Sequence, residues 1–353
     1  MNLARYFFTA ILVGTFVFSC QRPLNLGGDD SSAQADWKLI DTISERLILG
    51  LHATPFEWYA ITENEFLRFG GDDELLEKRP LQSNFGVLGI PALSDNSFVR
   101  LTVDDDSKKV VEFHLARNPS QIIKIPVDSL LGTEDSFVDI EFLHGSLGAF
   151  SSDGTLFLLP TTVLPGRYHV MLLFEVLHNA SHTEFASVKV VKRVALEDLS
   201  SDFANLKSIK FLNGNFYVTA QGGAWRIAPS GEPKNIFQQW MLDAFSWQGD
   251  LYATGVSSFD LHKSTDNGLT WERLNQNSEL KYARTAGNYV FTQSARGLVP
   301  QQMQEDLLRA NSIVLPAGAM PSDAIYYGVI FFAGHYYFSI GREVYKIEDI
   351  VVE

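Results

Sequence analysis

Few residues in this chain stand at spacings that chemistry uses. His178 and His182, in the stretch HNASH, have the i, i+4 spacing of a helical metal pair. The segment reads instead as a hairpin tip, where residues four apart do not share a face. Asp104, Asp105 and Asp106 could offer oxygens to calcium. They lack the glycine and the spaced ligands of a calcium loop and read as a solvated turn. No glycine-rich phosphate loop followed by a helix occurs, nor a Gly-x-Ser-x-Gly elbow. The reading therefore assigns no cofactor, no metal and no catalytic residue. Two sets remain. Arg296, Arg342 and Trp240, with Trp247 near the same connection or strand, could hold a glycan or peptide carboxylate through a guanidinium and an aromatic face. The stretch STDNGLTW, residues 264–271, reads as a structural turn. Asp266 can accept inward amides, Gly268 can take a positive φ, and Trp271 can fold back beneath.

These residues need a frame, and composition narrows it. Hydrophobic residues make up 46% of the 353, aromatics 12% and charged residues 20%, which describes a packed globular chain. The 26 Phe and 12 Tyr favour strands over helices. A formal net charge of −14 excludes a nucleic-acid backbone as partner, because no basic surplus exists to displace its counterions.

The N-terminus carries Arg5, then an apolar run from Tyr6 to Phe18 that is too short to cross a bilayer comfortably. This is a signal peptide, residues 1–19. Its end, Val17-Phe18-Ser19-Cys20, resembles the lipobox of bacterial lipoproteins. That resemblance implies lipidation of Cys20 and anchoring of the mature protein through its acyl chains. Cys20 is the single cysteine, so the folded body would have neither disulfide nor thiol chemistry. Residues 20–36, rich in Gly, Asp, Ser and Gln, read as a flexible tether. Gln21 stands where the inner-membrane retention signal has Asp, which points to the outer membrane or cell surface.

From residue 37 to 353 the chain reads as one domain built of repeats. Phe211–Ile227, Phe245–Lys263, Arg284–Val299 and Phe331–Ile347 each show a short apolar strand, a turn and an alternating strand opened by an aromatic. The turns carry Gly214, Gly249, Gly287 and Gly334 at their second place, and Gly in such dipeptides is a strong hairpin signal. Phe142–Leu159 lays Gly145, Gly154 and Leu156 over Gly214, Gly223 and Trp225. Trp58–Phe69 and Ser97–Leu115 read as hairpins, residues 168–177 with 187–194 as a longer one, and Pro300–Ala310 as a helical insertion. Meanders repeating every roughly 35 to 50 residues predict an all-β fold, a β-propeller of antiparallel four-stranded blades. Its length divides into seven blades, with six or eight as alternatives, and the chain ends complete a shared blade.

The pattern Ser264-x-Asp266-x-Gly268-x-x-Trp271 resembles the Asp box of sialidases and other BNR-repeat propellers. The resemblance implies a structural turn on the face opposite the functional one. Sialidases also carry an Arg-Ile-Pro stretch whose arginine clamps a carboxylate. Here Leu88-Gly89-Ile90-Pro91-Ala92-Leu93 is similar, but Gly89 stands in the arginine's place. The preferred reading is a surface-anchored, non-catalytic binding or scaffold module for a protein or glycan. The alternative is a sialidase-like glycoside hydrolase on the same fold.

Overall fold

A computed structural model of the chain describes residues 37–43, 47–81, 88–130, 137–140, 146–164, 168–196, 206–255, 260–277, 282–294, 297–304, 307–310, 328–340 and 342–348. Cys20, the tether and Arg296 lie outside these residues. Contacts gather the chain from Ala35 to Glu353 into one unit.

The described residues form seven antiparallel sheets. β1 (Lys38–Leu39) belongs to the last of them. β2 (Ile48–Ala53), β3 (Trp58–Thr62), β4 (Glu65–Phe69) and β5 (Leu75–Pro80) make the first meander. β6 (Leu88–Leu93), β7 (Ser97–Val103), β8 (Lys109–Leu115) and β9 (Ile122–Pro126) make the second. The third sheet has five strands, β10 (Phe137–Ile140), β11 (Ala149–Phe150), β12 (Leu156–Leu164), β13 (Tyr168–His178) and β14 (Phe185–Ala195). The fourth is β15 (Leu206–Leu212), β16 (Asn215–Ala220), β17 (Gly223–Ile227) and β18 (Pro233–Phe237). The fifth is β19 (Met241–Trp247), β20 (Asp250–Gly255), β21 (Asp260–Ser264) and β22 (Glu272–Asn277). The sixth is β23 (Tyr282–Ala286), β24 (Tyr289–Ser294), β25 (Gly297–Gln304) and β26 (Leu307–Ala310). In the last, β27 (Val329–Phe332), β28 (His335–Ile340) and β29 (Glu343–Ile347) take β1 as their fourth strand. The first strand of each meander is innermost, and the fold is an all-β propeller with antiparallel four-stranded blades.

The expected closure is present: Lys38 lies opposite Lys346 and Leu39 opposite Tyr345, so the N-terminal strand completes the C-terminal sheet. Local chemistry accounts for the hairpins. Asn213-Gly214, Gln248-Gly249 and Ala333-Gly334 all have positive φ at both places, the primed turns whose twist matches that of the strands. Gly287 departs from the expected place. It is the first turn residue, followed by Asn288, since Ala286 pairs with Tyr289; a turn with Gly first serves the same hairpin.

Two further expectations are corrected. Residues 300–304 and 307–310 are strand and not helix, because Gln301, Gln302, Met303 and Gln304 pair with Ala310, Arg309, Leu308 and Leu307 across β25 and β26. The neighbouring strand β24 supplies pairing for β25, which overrides the helix preference of that stretch. Gly154 sits in the β11–β12 turn and matches Gly214 rather than Gly223, so the offset laid over the Phe142–Leu159 segment is wrong.

Packing explains why no sheet stands alone. Side chains on a strand alternate between faces, and here both faces are buried. Phe216 and Val218 pack with Leu158 and Met171 of the preceding sheet, whereas Tyr217 packs with Met241 and Leu251 of the following one. The seven hydrophobic clusters each lie between two adjacent sheets. Where the last sheet meets the first, the fully buried Trp58 stacks on Phe69 at 4.2 Å and meets Tyr337 at 4.8 Å.

One buried group of charges belongs to this packing. On β7 and β8, Arg100 is 1% exposed, Glu112 3% and His114 1%. Arg100 Nε and His114 Nε2 reach Glu112 Oε2 at 2.9 and 3.0 Å, and Lys124 Nζ reaches Oε1 at 3.0 Å. Burial by itself raises the Glu112 carboxyl, but the His114 hydrogen bond and the Arg100 charge outweigh it and hold it at about 2. A carboxyl held below its unfolded value contributes stability above that value and loses it as pH falls. The wild-type chain should therefore lose stability between about 4.5 and about 2 through this group. Glu112→Gln should cost about 3–5 kcal/mol at neutral pH, since a buried ion pair loses one member. Urea titrations across pH should show its acid loss shallower over that window.

Candidate functional site

The innermost strands enclose a cavity of about 380 Å³. β2, β6, β11, β15, β19, β23 and β27 each line it, and successive strands in that order touch, with β27 closing on β2. An innermost strand has pairing on one edge only, so its other edge turns backbone N–H and C=O groups toward the channel. Such groups need partners.

On two consecutive innermost strands, β19 and β23, the partners are charged side chains. Asp243, 1% exposed on β19, accepts from Ser208 Oγ at 2.6 Å and from its neighbour Ala244 N at 2.9 Å on one oxygen. On the other oxygen it accepts from Lys210 Nζ at 2.6 Å and Ala283 N at 2.8 Å. Lys210 on β15 also donates to the carbonyls of Ala244, at 3.0 Å, and of Ala283. All three ammonium protons are thereby used. Arg284 follows on β23 and is among the residues lining the same cavity. Burial lowers both cations. Asp243 opposes this for each, while Arg284 lowers Lys210 further. Tyr282, also in the lining, is pushed up to about 12 by burial and then by the Asp243 charge. Across the channel, His52 Nε2 meets Asp95 Oδ1 at 2.7 Å. Leu51, Ile90, Phe150, Phe245 and Phe291 are also among the lining residues, with Leu51, Phe150, Phe245 and Phe291 packed into the clusters between sheets.

The residues singled out from sequence lie elsewhere. Trp240 is half-buried just ahead of β19, and Arg342 is exposed in the β28–β29 turn, on the face shared by sheet-to-sheet connections. Trp247 ends β19, at the opposite face. Neither Trp240 nor Arg342 is among the described residues of the cavity wall. Leu88–Leu93 forms β6, and Ile90, Pro91 and Leu93 line the channel, so the stretch bearing Gly89 does face the place where a clamp would act. His178 and His182 flank a hairpin tip, yet their ring centroids stand 5.4 Å apart, closer than the spacing argument allowed. The positive φ of His182 turns the chain back toward His178. His178 Nε2 lies 2.8 Å from Ser97 Oγ. Among the described residues no group of three or more His, Cys, Asp or Glu could hold a metal.

STDNGLTW joins β21 to β22, on the face of the β15–β16 and β19–β20 turns. Thr270 N and Oγ1 donate to Asp266 at 2.9 and 2.6 Å, Gly268 N to Ser264 Oγ at 2.8 Å, and Trp271 Nε1 to Gly268 O at 3.1 Å. The Thr270 hydrogen bonds hold the Asp266 carboxyl down at about 2. Gly268 has φ 81°, and a Cβ there would meet Ile236 at 3.0 Å and Tyr217 at 3.2 Å. Tyr217 OH and Arg226 donate to Asn267 O at 3.0 and 3.2 Å, which fastens the turn to the neighbouring sheet.

No family model matches the chain, and no curated protein matches it. Solved structures do resemble it. The WD40 domain of Neurospora crassa Pan2 has a TM-score of 0.53 at 10% identity, covering 90% of this chain and 97% of that one. An extracellular domain from B. thetaiotaomicron, assigned to a one-component system, has a TM-score of 0.52 at 11% identity, covering 89% of this chain and 40% of that one. The likeness is one of fold. Both are similar in architecture at identities that carry nothing about activity.

Sequence reasoning missed the charges in the channel. Lys210, Asp243 and Arg284 sit in LKSIKFL, MLDAFSW and YARTA, three successive innermost strands each interrupted by a charge. That recurrence was the available signal. A second one is a hydroxyl buried near the end of each second strand: Thr62, Thr102, Thr161, Thr219, Thr254, Thr292 and Ser339. Thr219 Oγ1 donates to Leu242 O at 2.8 Å on the next sheet and accepts from Ser208 N at 3.1 Å, beside a register shift in β15. Asp266→Ala should lower Tm by freeing the Thr270 amide and hydroxyl while leaving binding in the channel unchanged; calorimetry beside a binding assay reads both.

Proposed function

We propose that this chain is a surface-anchored lipoprotein whose seven-bladed propeller binds a ligand in its central channel without converting it. The blade count rests on the third sheet. β10 pairs with Thr161–Leu164 and β11 with Phe157 and Leu158, along one edge of β12. The two lie end to end along that edge in place of one innermost strand. Counted so, this sheet is a four-stranded blade like the rest.

The observation that carries binding over hydrolysis is the state of Asp243. It is the carboxylate among the described residues of the channel wall, and four donors already occupy it. Glycoside hydrolysis needs two carboxylates, or a tyrosine made nucleophilic, free to exchange protons with substrate. Tyr282 is pushed the opposite way, toward a more tightly held proton. Gly89 removes the arginine that the sialidase resemblance would require. The protein or glycan that carries the ligand would meet the rim where Arg342 and Trp240 lie, with Arg296 as the further candidate from the sequence. The extracellular domain among the similar structures agrees with a surface location, and no described helix is long and apolar enough to cross a membrane.

Purified chain should give no turnover of fluorogenic sialosides or other glycosides above a buffer blank. Turnover abolished by Asp243→Asn in a folded variant would reverse the reading. Cys20→Ser should move the chain from the membrane fraction to the soluble fraction of cells and abolish labelling with a clickable palmitate analogue. Retention of the label would remove the anchor from the proposal.

A further inference from the structure

The tip of the β13–β14 hairpin brings two imidazole rings together on a fixed frame. As the turn between the third and fourth strands of its sheet, it holds the place that STDNGLTW holds two sheets further on. Asn179 ties it from within. Its backbone N–H donates to Glu184 O at 3.0 Å, its carbonyl accepts the His182 amide at 3.0 Å, and its side-chain oxygen accepts the Thr183 amide at 2.9 Å. Asn118 Nδ2, between β8 and β9, donates to Thr183 O at 3.2 Å and fastens the tip to the second sheet. Within this frame His182 takes φ 53°, a backbone conformation that residues other than glycine rarely adopt. Its ring stands 5.4 Å from that of His178, centre to centre.

The nitrogens of the pair are not all spent. His178 Nε2 lies 2.8 Å from Ser97 Oγ. With Nε2–H donating there, the Nδ1 lone pair is left free. His182 Nδ1 is buried and has no hydrogen-bond partner among the described residues. A buried polar atom left so costs free energy. The ring separation is also the one a shared ion needs, since two imidazoles bound at about 2.0–2.1 Å and a tetrahedral angle put their centres roughly 5.2 Å apart. Burial, and then His182, lowers His178, which keeps its ring in the neutral form that ligates.

We propose that His178 and His182 bind one late first-row divalent ion through their Nδ1 atoms, with Ser97 orienting the His178 ring and solvent completing the coordination. Imidazole donors suit Cu(II), Ni(II) and Zn(II), and the general order of affinities puts Cu(II) first. Two protein ligands make an open, exchangeable site and not a closed structural one. Neither histidine is among the described residues of the cavity wall, so the site is independent of what the channel binds.

Cu(II), Ni(II) and Zn(II) chlorides titrated into the full chain by calorimetry test the site. Cu(II) should bind at one ion per chain and more tightly than the other two, and the EPR spectrum of the Cu(II)-loaded chain should carry the coupling of two imidazole nitrogens. His178→Gln and His182→Asn should each weaken Cu(II) at least about 100-fold, beyond the roughly 10–100-fold that an outer-shell partner is worth. Asn tolerates the positive φ at position 182, so that variant keeps the turn. Cys20→Ser removes the chain's single thiol and should leave Cu(II) binding unchanged. Absence of Cu(II) binding by the wild type, an EPR spectrum without coupling to two imidazoles, or binding that persists in folded His178→Gln or His182→Asn overturns the proposal. Loss of binding in Cys20→Ser assigns the ion to the thiol and overturns it equally.

Discussion

The carboxylate of Asp243 answers a constraint that every propeller imposes. Innermost strands pair on one side and leave the other edge facing a channel, where amides and carbonyls are shielded from water and unpaired. Asp243 accepts the Ala283 amide from the next strand while Lys210, reaching from the strand before, donates to the carbonyls of Ala244 and Ala283. One ion pair thus satisfies backbone groups on two strands and links three successive sheets. Its worth lies in those backbone partners more than in Coulomb attraction, since a buried pair alone roughly breaks even against an apolar replacement.

Around that centre the fold is a closed cycle of interfaces. Each sheet buries one face against its predecessor and the other against its successor, and Trp58 with Tyr337 joins the last sheet to the first. A strand shared between the chain's two ends closes the cycle without a covalent link. The buried hydroxyls complete the arrangement at the inner ends of the strands. Thr219 serves both its own sheet, at Ser208, and the next, at Leu242, so the Ser208 amide beside the register shift in β15 has a partner. The same site explains the channel's chemistry. The Asp243 carboxylate is occupied by four donors, two of them backbone amides.

How much of this could be read from residues alone depended on the range of the interaction. Gly214, Gly249 and Gly334 announce hairpins because a primed turn needs positive φ within two residues, and Ser264 to Trp271 announces its turn for the same reason. The shared terminal blade followed from counting repeats. The stretch from Pro300 to Ala310 misled, since its helix preference is local while the pairing of β24 with β25 is not. Gly154 misled because the first strand of its repeat is divided between β10 and β11, which shifts every later position. The two histidines of HNASH were read from spacing, but the backbone at His182 turns through a positive φ and brings the rings together.

By itself the sequence determined the class of structure and its grammar: alternating strands, glycine turns and an aromatic-rich composition. Those features act over a few residues or over the whole composition, so they are visible without coordinates. The tertiary structure alone decided which charged residues meet. Lys210, Asp243 and Arg284 are far apart in the chain, and a charge within an apolar strand does not say which residues it will meet. They converge because closing the sheets into a ring places three strand edges around one channel, where unpaired backbone groups and low dielectric give each charge a partner or a purpose.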